Sequence, residues 1–338
     1  MAIKKIGRHS FQPLRPAYIT QWTNTVGKKE GEGPLRAYFD EILPDSLAGQ
    51  STWEQAEQKM QLMTLQKLLN KAQLDKSDLD VVFSGDLLNQ CVGASFALRN
   101  MDISHIGLYG ACSTMALSLL LSTLAVGSGM ADRAVAMTSS HFASSERQYR
   151  FPLGYGGQRT PTAQRTVTGC GATLVSSQGK GLRVESCTMG TVCDFGITDG
   201  NNMGSAMAPA ACSTICNHLR DLNRVPQYYD KIFTGDLGRL GKRLLIALAR
   251  KQNVVLEDVL EDCGCLIFQE SQDVHAGGSG CGCSASVLCG YILNQMQKGI
   301  WKRVLFCATG ALMSPVSMQQ GLPIPGICHA VSITREDI

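Results

Sequence analysis

The segment LDVVFSGDLLNQ (79–90) returns as YDKIFTGDLGRL (229–240) at an offset of 150 residues. An internal repeat of this length fixes the gross architecture before any single residue is weighed. Asp80, Phe83, Gly85, Asp86 and Leu87 recur as Asp230, Phe233, Gly235, Asp236 and Leu237. A helix precedes each copy. In the first half it spans 51–74, with apolar positions at Trp53, Ala56, Met60 and Met63, and Ser51 and Glu54 spaced as a capping box. In the second it spans about 209–222. Downstream, 109–140 resembles 280–310: a Gly-Cys-Ser turn, an apolar helix, a basic residue, then a strand, with Cys112 answering to Cys283. Finally 169–177 answers to 327–335 as a closing strand.

Each half therefore reads strand, helix, strand, helix, strand, helix, strand, strand, a βαβαβαββ unit of the α/β class. The boundary falls near 179–181, giving halves 1–181 and 182–338. The helix over 113–126 has no polar stripe wide enough for water, so it must lie between layers, and two sheets enclosing a central helix pair give an αβαβα sandwich. The charge-free run 106–131 imitates a membrane span, but its serines, threonines and glycines divide it into strand, turn and buried helix. Two irregular connections break the symmetry, 141–167 and the glycine-rich 190–207, and long insertions of this kind commonly line a site.

Composition narrows the function. With 31 Lys and Arg against 28 Asp and Glu the net charge is +3, and no run of five like charges occurs, so there is no electrostatic footprint for nucleic acid. The 14 cysteines lie in apolar runs and read as reduced, buried thiols. The first twenty residues lack the apolar core of a signal peptide, and a reducing compartment is expected.

The duplicated pattern with Cys112 at the head of a buried helix resembles the thiolase superfamily over nearly the whole chain. Together, GDLLNQ, GACST, TSSH, YGGQ, TVTG, GITD, TGDL, AGGSGC and ATGAL are similar to a sporulation branch of that superfamily from endospore-forming bacteria. The resemblance implies a soluble, peripheral component of the inner-spore-membrane channel system that loads dipicolinic acid, free or as its calcium chelate. It implies membrane channel subunits and a second copy of the chain as partners, no cofactor, and a binding role rather than condensation. Condensing members place a His at the end of the strand IFTGDL, where this chain has Thr234, Gly235 and Asp236, and an Asn where it has the 277–280 glycine loop; thiolases proper place a His in that loop and a second Cys after the next strand. Neither set is present.

Ten residues form the expected ligand set: Cys112, Asp86, Asn89, His141, Arg147, Arg150, Tyr155, Asp236, Ser279 and His329. At a helix head Cys112 gains from unpaired amides and the positive dipole end, although a small packing residue fits the same place. Asp86 and Asp236 end equivalent strands, where helix capping competes with ligand binding and is the slightly better account of Asp236. Arg147, Arg150 and Arg159 offer planar forks to carboxylates; surface ion pairs are the bland alternative. His141 and His329 are polar residues near strand ends that could assist an anion, and Tyr155 could stack on an aromatic ring. The CxC pairs 263/265 and 281/283, read as strand residues, have the wrong spacing for zinc, and no metal site is expected. The competing reading is an acyltransferase with Cys112 as nucleophile on a coenzyme A thioester.

Overall fold

The computed structural model describes residues 3–148 and 159–336. In the first half β1 (Tyr18–Val26), α1 (Trp53–Ala72), β2 (Val81–Gly85), α2 (Val92–Leu98), β3 (His105–Gly107), α3 (Thr114–Ser128), β4 (Arg133–Ser140) and β5 (Gly169–Ser176) follow in turn. The second half repeats the order with β6 (Leu182–Thr188), α4 (Met203–Asp221), β7 (Lys231–Thr234), α5 (Gly238–Arg250), β8 (Leu260–Asp262), α6 (Cys281–Val287), β9 (Arg303–Ala311) and β10 (Gly326–Arg335). Helix α6 runs on through a π turn, Leu288–Ile292, into Leu293–Gln297.

The strand order is β3-β2-β4-β5-β1 in one half and β8-β7-β9-β10-β6 in the other. Equivalent pairs keep equivalent sense: β4 pairs parallel to β2 and antiparallel to β5, and β9 pairs parallel to β7 and antiparallel to β10. Strands β1 and β6 join the halves edge to edge through two residue pairs, Tyr18 with Arg183 and Ile19 with Leu182. A hairpin of Ile3–Ile6 and Ser10–Pro13 adds to β6.

Between the layers lie α3 and the α6 rod. Met115, Leu119 and Val126 of α3 share one core with Val287, Leu288 and Ile292 of the rod. The polar residues of α3 survive burial by bonding back onto the helix: Ser118 Oγ donates to the Met115 carbonyl at 3.0 Å and Thr123 Oγ1 to that of Leu119 at 2.8 Å. Both central helices end alike. Gly129 (φ 81°) and Gly299 (φ 78°) take the left-handed conformation, and the amides of Met130 and Ile300 reach back five residues to the carbonyls of Ala125 and Gln295. The stretch Ala111–Ser128, the one among the described residues long and apolar enough to cross a membrane, is this largely buried core helix.

Three local expectations are corrected. The cap of α1 is Thr52, whose Oγ1 accepts from the Gln55 amide, not Ser51; Glu54 instead pairs with Arg147. Helix α4 starts at Met203, so Pro209 lies inside it. The CxC pairs are helical rather than extended: Cys263 and Cys265 belong to a short helix, Cys263–Leu266, and Cys281 and Cys283 to the first turn of α6. Residues two apart on a helix point to different sides, so neither pair forms a pincer. Among the described residues no three His, Cys, Asp or Glu side chains converge to hold a metal ion.

Candidate functional site

A cavity of about 220 Å³ opens at the head of α3. Its back wall depends on a close approach of the two halves: a Cβ on Gly310 of β9 would sit 2.5 Å from the Gly110 carbonyl oxygen and 3.2 Å from the Cys112 amide nitrogen. Only glycine lets β9 touch the turn that carries Ala111 and Cys112. Ser145 and Glu146 arrive from the short helix Phe142–Glu146, Arg159 and Gln164 from the connection after it, and Ser279 from the glycine loop. Met203, Met313 and Met318 supply a soft apolar side.

Behind Cys112 lies Asp236, fully buried. Its Oδ2 accepts from the Gly280 amide at 2.9 Å and from Ser279 Oγ at 3.2 Å, its Oδ1 from Thr309 Oγ1 at 2.9 Å, and the Cys112 thiol lies beside it. Burial lifts the Asp236 carboxyl to about 7 against the pull of these donors. Cys112 is pushed well above the ordinary thiol range, first by burial and then by the adjacent carboxylate. A thiol at a helix head is usually activated by a neighbouring cation or base; this one faces an acid.

Arg159 is the cationic side chain on the cavity wall among the described residues. Its guanidinium donates to the Gln164 carbonyl and lies 3.9 Å from Glu146. Two buried polar atoms of wall residues, Ser145 Oγ and Gln164 Oε1, have no hydrogen-bond partner among the described residues. Gln164 Nε2 is used, donating to the carbonyls of Asp236 and Gly278 at 2.6 and 2.9 Å.

Of the ten expected residues, Cys112 and Ser279 line the cavity and Asp236 stands directly behind them. Asp86 is turned to capping, accepting from the amides of Leu88 and Ala94 at 2.8 and 2.7 Å. Asn89 is exposed away from the cavity. His141 caps its own short helix and meets the Ser46 carbonyl at 2.8 Å; burial lowers its basicity. Arg147 pairs with Glu54 at 2.5 Å and covers the Trp53 ring. His329 accepts from the Gly190 amide, and burial holds it at about 4, so it brings no positive charge near neutrality. Arg150 and Tyr155 lie outside the described residues. Sequence reasoning passed over Gln164, Ser145 and the three methionines. Of these only Ser145 and Gln164 had a signal, their place in the asymmetric insertion.

This arrangement, two βαβαβαββ halves around paired helices with a cysteine at the head of the first, defines the thiolase class of folds. Human mitochondrial 3-ketoacyl-CoA thiolase in complex with CoA superimposes with a TM-score of 0.61 at 11% identity, covering 96% of this chain and 99% of that one. The 3-oxoacyl-[acyl-carrier-protein] synthase III of Aquifex aeolicus VF5 gives 0.55 at 14% identity, covering 94% and 99%. At such identities the likeness is one of fold alone. The chain belongs to the stage V sporulation protein AD family, whose description matches residues 7–334. It is 41% identical over 333 residues to stage V sporulation protein AD of Bacillus subtilis (strain 168), covering 98% of each chain. It is a sporulation protein.

Proposed function

We propose that the cavity beside Cys112 binds dipicolinate, free or with calcium, and that the chain is a noncatalytic binding component of the system that loads this acid into the spore. The observation that carries the reading is the set of groups around Cys112: a buried carboxylate beside the thiol where a condensing enzyme has histidine, with the Arg159 side chain on the wall of the same cavity. Acyl transfer would need the Cys112 thiolate, which Asp236 opposes. A volume of about 220 Å³ lies below the ~300–1,000 Å³ typical of drug-sized ligands and suits a single ring. Arg159 supplies a planar fork for one carboxylate, and the methionine side a surface for the ring.

Within this reading the protein works peripherally at the inner spore membrane with channel subunits, and as a homodimer. Support for the dimer comes from β3, which ends the strand order and is flanked by exposed Phe96 (47%) and Ile106 (43%). Calorimetric titration with dipicolinate, with and without calcium and with benzoate as control, tests the binding. Saturable heat that Arg159→Ala weakens at least tenfold supports it; no heat with dipicolinate under either condition removes it.

A further inference from the structure

The donors that face the cavity are already committed. Ser279 and Cys112 both line the space; Ser279 Oγ donates to Asp236 Oδ2 at 3.2 Å, and the Cys112 thiol lies beside the same carboxylate. A ligand carboxylate arriving at this wall needs a hydrogen from it, and Asp236 competes for that hydrogen most strongly while it is ionised. Two anions would otherwise face each other across one shared layer of donors. We propose that anion binding here is proton-coupled: Asp236 takes one proton from solvent as the ligand enters, and Ser279 turns its hydroxyl hydrogen from Asp236 to the ligand. This rests on the binding reading above and adds its regulation.

The groups around Asp236 leave few other ways to balance the charge. From the end of β8 it faces Asp262, a second buried carboxylate; from the α3 head Cys112; from α6 Cys281 and Cys283; from the short helix after β8, Cys263. Each of these groups is an acid or a thiol, so none of them can become a cation. Asp262 is occupied, accepting from Thr234 Oγ1 at 2.7 Å and from the amides of Leu237, Gly238 and Cys265. Arg159 stands across the cavity with Glu146 beside it. The proton balance is simple: one proton leaves the buffer, one O–H bond forms on Asp236, and no covalent bond to the ligand is made.

Titration of the full chain with dipicolinate at pH 8 in buffers of low and high ionisation enthalpy measures the protons taken up directly. Uptake approaching one per ligand is expected, with the dissociation constant rising toward tenfold per pH unit above about pH 7, where free Asp236 ionises. Asp236→Asn should bind with no uptake and a flat pH profile. Thr309→Val, which strips a donor from Oδ1 away from the cavity, should move the fall in affinity to higher pH, and it serves where the first variant does not fold. Dipicolinate binding by the unaltered chain without uptake, or uptake that survives in Asp236→Asn, overturns the coupling and leaves the binding reading standing. Absence of binding at both pH 6 and pH 8 removes the binding reading itself.

Discussion

Asp80 and Asp230, 150 residues apart, make the same contact. Oδ2 of Asp80 accepts from the amides of Asp132 and Arg133 at 2.7 and 2.9 Å, and Oδ2 of Asp230 accepts from those of Lys302 and Arg303, both at 2.7 Å. Each carboxylate fastens the turn after a central helix to the foot of the neighbouring strand, β2 or β7. Replacing either by Ala should cost about 1–2 kcal/mol in urea unfolding, and the two losses should add, because the sites share no partner. Ligand binding should not change; a loss of binding in either variant would contradict this division between scaffold and cavity.

Cys112 should be a slow thiol. Burial and Asp236 both hold it protonated, so iodoacetamide at pH 8 should label the partly exposed Cys193 well before Cys112. Peptide mass spectrometry over a time course reads this order. Rapid labelling of Cys112, or a stable acyl adduct from a coenzyme A thioester that Cys112→Ser abolishes, would return the chain to the acyltransferases.

Glu57 makes the protein less stable as pH rises. It is fully buried, bonded by the hydroxyls of Ser139 and Ser144 at 2.8 and 2.7 Å, and near Asp86. Two backbone amides keep Asp86 the more acidic of the two, and burial followed by that charge raises Glu57 to about 8. The folded state therefore keeps a proton that the unfolded chain releases above about 4.5. Stability from this group is greatest below that pH and is lost progressively up to about 8. Glu57→Gln should raise Tm at pH 8 by roughly 2–4 °C or more and change little at pH 4.5. Equal shifts at both pH values would show that Glu57 is not the titrating group.

Gly282 and Gly310 should tolerate no side chain. A Cβ at Gly282 would lie 2.4 Å from the Gly169 carbonyl and 2.6 Å from Ser140 Oγ, and at Gly310 it would strike the turn before α3. Alanine at either position should cost about 1–3 kcal/mol or more. Since Gly310 sets the cavity wall and Gly282 does not, only Gly310→Ala should also weaken dipicolinate binding in calorimetry.

The order of elements was legible because the repeat wrote it twice, down to Asp80 and Asp230. The site was half legible. Cys112 sits at a position the repeat marks and Ser279 immediately before a repeat segment, but Asp86 and Asp236 look equivalent in sequence and do different work. Asp86 caps the helix that follows it, whereas the Gly238 amide, which matches that of Leu88, goes with the Leu237 amide to Asp262, a residue outside the repeat motif, and this leaves Asp236 for the cavity side. His141 and His329 misled for a related reason. Each lies near a strand end as expected, but neighbouring backbone groups, the Ser46 carbonyl and the Gly190 amide, claim their ring nitrogens. Sequence carries the position of a polar residue well and its nearest competitor for a hydrogen bond poorly.

The close contact at the head of the second central helix has a directional consequence. There Cys281 and Cys283 are fully covered, and the Gly282 amide is tied to Ser140 Oγ at 3.0 Å. Of two doorways generated by duplication, one is walled up and the other opens beside Cys112. Under the proposed binding role, and as far as the described residues go, a molecule entering beside Cys112 would leave the same way, so the cavity would serve as a cul-de-sac and not a corridor.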